Sequence, residues 1–293
     1  MIHELPLSKL CEVAIEAATE AGQFVKNAAS ENIERQFKNA GNSDASQLVT
    51  EIDIRSEAII RERLKTVSEE FDIAFVGEES SSPNPGLVSE RLRAACFWCV
   101  DPLDGTLPFV EGKSGYAVSI ALVAQSGSPL IGVVYDPVDS IVIHAIKSEG
   151  AYRDFAPFSR RPKNSRSLVV YADASFKRHE KFERVIDALH TCAKSLELKD
   201  LQIEYGSGAV KNACQVLDHS SACYVKLPKA EDGGGSIWDY AATACIARES
   251  GGWASNIFGE PLDLNRSDST FMNHQGIIYA SNEKLARYLI DAL

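Results

Sequence analysis

Residues 98–106 read Trp-Cys-Val-Asp-Pro-Leu-Asp-Gly-Thr, and a chain carrying this run has few ways to fold around it. The apolar approach from Cys96 to Val100 has the composition of a buried strand. Pro102 has no backbone N–H and a fixed φ, so a central strand cannot continue through it. The spacing therefore predicts a strand that ends in a turn at Asp101. That turn aims two carboxylates, Asp101 and Asp104, and one carbonyl into the same small volume. Oxygen clusters of this kind bind hard divalent cations. Gly105 and Thr106 then open a short helix whose free amides face an anion. A metal beside a phosphate is the arrangement that phosphoryl hydrolysis needs.

The rest of the chain is patterned around this run. Apolar residues at Leu7, Leu10, Ala14, Ala17, Ala21, Phe24 and Val25 predict a helix over 7–28, with Ser8 near its start. Residues 30–48 are polar and contain Gly41-Asn42-Ser43-Asp44, which reads as a hairpin or loop. A second helix is expected near 54–70, a strand over 71–76, and a surface loop over 81–86. Four short β-branched segments (96–101, 116–124, 130–135 and 141–146) predict an antiparallel meander. Beyond a Pro-containing, basic stretch at 154–167, strands (168–172, 201–205, 222–227, 277–280) alternate with helices (178–196, 208–217, 238–250, 282–292). The division falls at 158/159. An N-terminal α+β domain, 1–158, carries the antiparallel sheet and most acidic ligands; an α/β domain, 159–293, supplies Asp239 and the substrate loops.

The 293 residues carry a formal charge of −11. This disfavours binding to long DNA or RNA, which calls for a basic face. It leaves room for a small phosphorylated substrate, because bound cations invert the local field. No apolar run spans a bilayer and no signal peptide is visible, so a cytoplasmic protein is expected. Seven cysteines, an odd number, point to reduced thiols. Cys96 and Cys99 have a CxxC spacing, but no second pair completes a zinc site; they read as small buried residues of a strand, with a redox role as the alternative.

Four sequence-distant places put acidic residues where an element changes type: Asp53, Glu78-Glu79, Asp101/Asp104 and Asp239. Each alone has a plain explanation. Asp53 could cap a helix, Glu78 could be a solvated turn residue, and Asp239 could favour the first turn of a helix. Together with the run at 98–106 they indicate a divalent-metal site.

These residues carry a resemblance. Gly77-Glu78-Glu79-Ser80, the run Trp98–Thr106, and Ile237-Trp238-Asp239-Tyr240-Ala241-Ala242 with Gly251-Gly252 resemble, in order and spacing, the inositol monophosphatase superfamily. Glu111 and Thr243 depart from its usual pattern without removing a ligand. The resemblance implies an αβαβα sandwich within the α/β class and a Mg²⁺-dependent phosphomonoesterase. It implies one Mg²⁺ on Glu78, Asp101 and the Leu103 carbonyl. A second would lie on Asp101, Asp104 and Asp239, with a weaker third near Glu78. Thr106 and Asp53 would deprotonate the attacking water, and the amides of Gly105 and Thr106 would hold the phosphate. Inhibition by Li⁺ is implied as well; a homodimer is one option for an oligomeric state that the sequence leaves open.

The metal motifs leave the alcohol open. Residues 206–211 (Gly-Ser-Gly-Ala-Val-Lys) and 223–228 (Cys-Tyr-Val-Lys-Leu-Pro) look more like the 3′(2′),5′-bisphosphate nucleotidase branch. Ser207, Lys211 and Lys226 would then meet a second phosphate or the ribose. The alternatives are inositol monophosphatase, a broad sugar phosphatase and a non-catalytic relative. Asp232, seven residues before Asp239 and beside the adaptable Gly233–Gly235, suits the inositol reading, in which an acid binds a sugar hydroxyl. Lys38 and Asn39 are displaced from the position of a usual lysine.

Overall fold

The structure is a computed structural model that describes residues 5–36, 42–81, 90–158 and 166–293, the side chains of 31–36 and 42–49 apart. Two long helices come first, α1 (Leu7–Gln36) and α2 (Asn42–Phe71). β1 (Ala74–Gly77), the single turn α3 (Glu78–Ser81), β2 (Cys96–Asp104) and the short α4 (Thr106–Val110) follow. The chain then runs through β3 (Ala117–Ala124), β4 (Pro129–Asp136), β5 (Ile141–Ile146), β6 (Gly150–Arg153) and β7 (Ala156–Pro157). The second half is β8 (Ser167–Ala172), α5 (Phe182–Ser195), β9 (Asp200–Tyr205), α6 (Ala209–Val216), β10 (Ala222–Lys226), α7 (Ile237–Glu249), β11 (Trp253–Ser255), β12 (Ile277–Ala280) and α8 (Glu283–Ala292).

Strands β1 to β7 form a seven-stranded sheet in chain order, parallel between β1 and β2 and antiparallel thereafter. The other five form a sheet in the order β11-β12-β10-β8-β9. Helices α1 and α2 cover the outer face of the first sheet through Leu10, Ala14, Ala17, Ala21, Ile60 and Leu64. Helices α6 and α7 fill the space between the sheets, and α5 and α8 cover the far face of the second. The order of layers is αβαβα. Every residue of β3 and β4 is buried, because helices cover both faces and the strands need no polar side. For the same reason ten of the thirteen residues of α7 are buried, which leaves the helix no polar face. Gly132 on β4 allows this approach, since a Cβ there would overlap the carbonyl of Ala242.

Three expectations are corrected. The chain continues as strand through Pro102, but the ladder slips: Asp101 stands opposite Ser119 and Asp104 opposite Ala117, so one extra residue is accommodated in a bulge. The pairing of β1 with β2 ends at Gly77 and Val100, so Pro102 leaves no bond to β1 unmade. Helix α1 continues to Gln36 and α2 begins at Asn42, where a hairpin or loop was expected over 30–48. Residues 174–178 form a separate 3₁₀ turn, so the helix expected from 178 starts at Phe182. Lys38, Asn39, Gly41, residues 82–86 of the expected surface loop and the 158/159 division itself lie outside or at the edge of the described residues.

Candidate active site

The bulge in β2 gathers the acidic residues. Asp101 is buried, and its Oδ1 accepts the Leu103 amide at 3.1 Å, closing a local turn within the bulge. Asp104 is clasped by the start of α6, whose Ala209 and Val210 amides donate to its two oxygens at 3.0 and 2.9 Å. Gly208 precedes them because any Cβ at that position would overlap the Asp104 carboxylate. Asp239 lies in the first turn of α7, where it accepts the Ser236 amide at 2.6 Å in a capping box. The plain reading of Asp239 as a helix-start residue is therefore correct, and the same placement brings it to the site. Oxygens of Asp101, Asp104 and Asp239 lie within 4.8 Å of one another.

Glu78, at the opening of α3, stands outside this 4.8 Å group but near enough to repel it. Burial pushes its carboxyl up to about 8, and Asp239, Glu79, Asp53 and Asp104 add repulsion. Burial and then Asp239 push Asp104 to about 8 despite its two amide donors. Asp101 is raised well above the usual range by burial, Glu78, Asp104 and Asp239. Asp53, on α2, is raised to about 7 by burial and then Glu79, and its Oδ1 is buried without a partner. Clustered carboxylates that are costly to ionise together, with one oxygen unsatisfied, fit a hard divalent cation such as Mg²⁺.

The other predicted residues divide into two groups. Thr106 is exposed at the start of α4, and its hydroxyl faces the Leu103 carbonyl at 3.5 Å. Gly105 holds a φ of 85°, which turns the chain from the bulge into α4. Ser207 sits beside this turn through the Gly208 amide, which donates to the Gly115 carbonyl at 2.8 Å. Lys226 ends β10, ion-paired to Asp173 at 2.9 Å and donating to the Tyr240 hydroxyl at 2.9 Å. Burial opposes its charge, but Tyr240, Asp173 and Asp239 outweigh burial and hold the ammonium above its usual pKa. Lys211 points elsewhere. It is ion-paired with the buried Asp136 of β4, and leaving that carboxylate unpaired inside the protein would be costly. Asp232 is exposed on the loop after β10, and the side chain that faces Asp239 is Lys226.

Several supporting residues have no sequence signal of their own. Ser56 donates to the Pro102 carbonyl at 2.9 Å. Arg91, fully buried, donates to the carbonyls of Arg266 and Ser269 at 2.6 and 3.3 Å. The loop it holds accepts the Ile237 amide on Thr270 at 2.9 Å, which fixes the entry to α7. Their partners lie far off in sequence, so no local pattern marks them. Beside Lys226 a cavity of about 250 Å³ opens, with Arg178, His179 and Lys229 among its lining and Phe176, Val225 and Met272 forming its apolar part.

Two sheets enclosing helices, with a carboxylate cluster at a strand bulge, make a layered α/β protein with a candidate site for a hard cation. The family model for the inositol monophosphatase family matches residues 6–293, and the chain belongs to that family. It is 29% identical to Inositol monophosphatase 2 of Solanum lycopersicum over 88% of this chain and 91% of the relative. It is 31% identical to Nus factor SuhB of Vibrio cholerae over 85% and 86% of the two chains. Among solved structures it resembles inositol monophosphatase II of Staphylococcus aureus, with a TM-score of 0.70 at 23% identity, covering 98% of this chain and 93% of that one. Family membership makes this chain a phosphatase that hydrolyses phosphomonoesters of small molecules.

Proposed function

We infer that this phosphatase cleaves a phosphate ester whose alcohol carries a second anionic group, of the 3′(2′),5′-bisphosphate nucleotide kind. The observation that carries the reading is Lys226. Its partner Asp173 lines the same pocket and is more exposed than Asp136, so this cation at the edge of the carboxylate cluster, with Arg178, Lys229 and an apolar side nearby, suits an anion joined to a flat ring.

In this reading Glu78, Asp101, the Leu103 carbonyl, Asp104 and Asp239 hold Mg²⁺, two or three ions in all. Bound there, Mg²⁺ polarises the phosphoryl oxygens and eases ionisation of water near neutral pH. Asp53, whose unpartnered oxygen is held near neutral pKa, accepts the proton of the attacking water with the Thr106 hydroxyl as its relay. The amides of Gly105 and Thr106 hold the phosphate, and Ser207 approaches it from the neighbouring loop. Lys226 holds the second anion. Lys211 has no part, and Asp232 would serve only a sugar hydroxyl.

The second reading is an inositol monophosphatase, favoured by the names of the relatives. SaIMPase-II, which has the same fold with TM-scores of 0.61 and 0.62, is described both with inositol monophosphate and with 2′-AMP bound, so this fold admits either alcohol. Phosphate release from adenosine 3′,5′-bisphosphate, inositol 1-phosphate, fructose 1,6-bisphosphate and histidinol phosphate separates the readings. The highest kcat/KM is expected for the nucleotide; a preference for inositol 1-phosphate would replace this proposal with the second reading.

A further inference from the structure

One turn of α2 touches two of the segments that contribute acid to the site, the bulge of β2 and the chain that leaves β1. Asp53 and Glu57, four residues apart, share a face of the helix, and Ser56 between them holds the Pro102 carbonyl. Glu57 is 4% exposed. Its Oε2 accepts the Glu79 amide at 2.9 Å, and its Oε1 accepts the Ser80 amide at 3.2 Å. Arg61, one turn further along, lies 3.5 Å from Oε1, donates to the Ser80 hydroxyl at 2.8 Å and stacks over the Phe75 ring. Gly77 rests directly on the carboxylate, and a Cβ there would overlap it. Both oxygens are thus committed to the main chain immediately after Glu78 and to Arg61, which leaves Glu57 poorly suited to bind a cation itself.

We propose that Glu57 is a positioning residue: by fixing the amides of Glu79 and Ser80 it aims the Glu78 carboxylate at Asp101 and Asp239, and so sets the affinity of the site for its divalent ion. The chain leaves β1 at Gly77 and has only the single turn α3 in which to orient Glu78. A turn of four residues has little hydrogen bonding of its own to hold it. The buried carboxylate on a long, packed helix supplies the missing constraint, as groups behind metal ligands commonly do. This proposal rests on the metal-dependent reading of the site.

The test is Mn²⁺ binding followed by calorimetry and by electron paramagnetic resonance on the full chain without substrate, alongside the Mg²⁺ dependence of turnover. Glu57→Ala is expected to weaken Mn²⁺ binding by about ten- to a hundredfold, with a matching rise in the Mg²⁺ needed for half-maximal rate. Glu57→Gln keeps one acceptor, for the Glu79 amide, but sets an NH₂ donor against the Ser80 amide, so it is expected to lose less affinity than Glu57→Ala, within about tenfold of wild type. Gly77→Ala, which displaces the same carboxylate from the opposite side, should reproduce the weakened binding with Glu57 intact. Wild-type affinity in Glu57→Ala would overturn the positioning role. Unchanged Mn²⁺ affinity in Gly77→Ala would overturn it too, since the carboxylate would then be displaced without consequence for the site. Wild-type protein that binds no Mn²⁺ would instead overturn the metal reading itself.

Discussion

At Asp101 two demands meet in one side chain: it accepts the Leu103 amide and it faces Glu78, Asp104 and Asp239. Asparagine at 101 can keep the first role and not the second. Asp101→Asn should therefore fold, lose Mg²⁺-dependent turnover, and show a higher Tm than wild type in chelator, because one of the clustered charges is gone. Residual Mg²⁺-dependent phosphate release at wild-type level would contradict this. Lys226→Met should raise KM for adenosine 3′,5′-bisphosphate about tenfold, equivalent to about 1.4 kcal/mol, and leave KM for inositol 1-phosphate nearly unchanged. The pH dependence follows from the direction of the shifts. Asp53, Glu78 and Asp104 have folded pKa values raised to about 7, 8 and 8, above those of ordinary carboxyls. Between about pH 4 and 8 the metal-free folded state then binds more protons than the unfolded chain, so its stability falls as pH rises. Mg²⁺ must displace those protons, so the stabilisation it confers should grow across the same interval. Scanning calorimetry with chelator and with saturating Mg²⁺ would show two Tm curves that diverge toward high pH. Parallel curves would mean that the cluster does not hold the ion.

Among the elements, the four-residue run Asp101–Asp104 was legible because its chemistry is local: an Asp, a proline and an Asp leave the strand no ordinary continuation. The Pro102 turn became a bulge instead, since β3 goes on pairing after β1 has stopped, a fact about neighbours that no run of nine residues contains. The early start of α2 was missed for a related reason. Residues 42–48 are polar and carry turn-forming Asn and Ser, yet they extend a helix whose later turns are anchored by Ile60, Leu64 and Val67. Ser56, Glu57 and Arg91 were invisible as site residues because each acts on a main-chain group 20 or more positions away. Lys211 closes the local motif Gly-Ser-Gly-Ala-Val-Lys, and its ion pair with Asp136 across the sheet–helix interface is a contact that the motif does not contain.

For the whole molecule, packing between layers sets the tolerance to change. Gly132→Ala would drive a methyl into the Ala242 carbonyl and push α7, with Asp239 at its start, away from β4. Overpacking of this sort costs about 1–3 kcal/mol. Thermal unfolding should register a clear drop in Tm, together with weaker Mn²⁺ binding; an unchanged Tm would show that the layers can slide. The order of layers was expected from the family resemblance, whereas the alternation of strands and helices by itself gave only an α/β layer in the second half.

The seven cysteines are all buried and unpaired. Burial raises Cys11, Cys214 and Cys245 to about 12 and Cys96 and Cys192 to about 11, so no thiolate is presented to an alkylating reagent by the native state. They are also distributed by layer: Cys11 on α1 and Cys96 on β2 lie in the outer core of the first sheet, Cys99, Cys214 and Cys245 lie between the sheets, and Cys192 on α5 and Cys223 on β10 lie in the outer core of the second. The chain thus carries its own set of timed reporters. Alkylation followed by peptide mass analysis would read which layer opens first, without introducing a single foreign label.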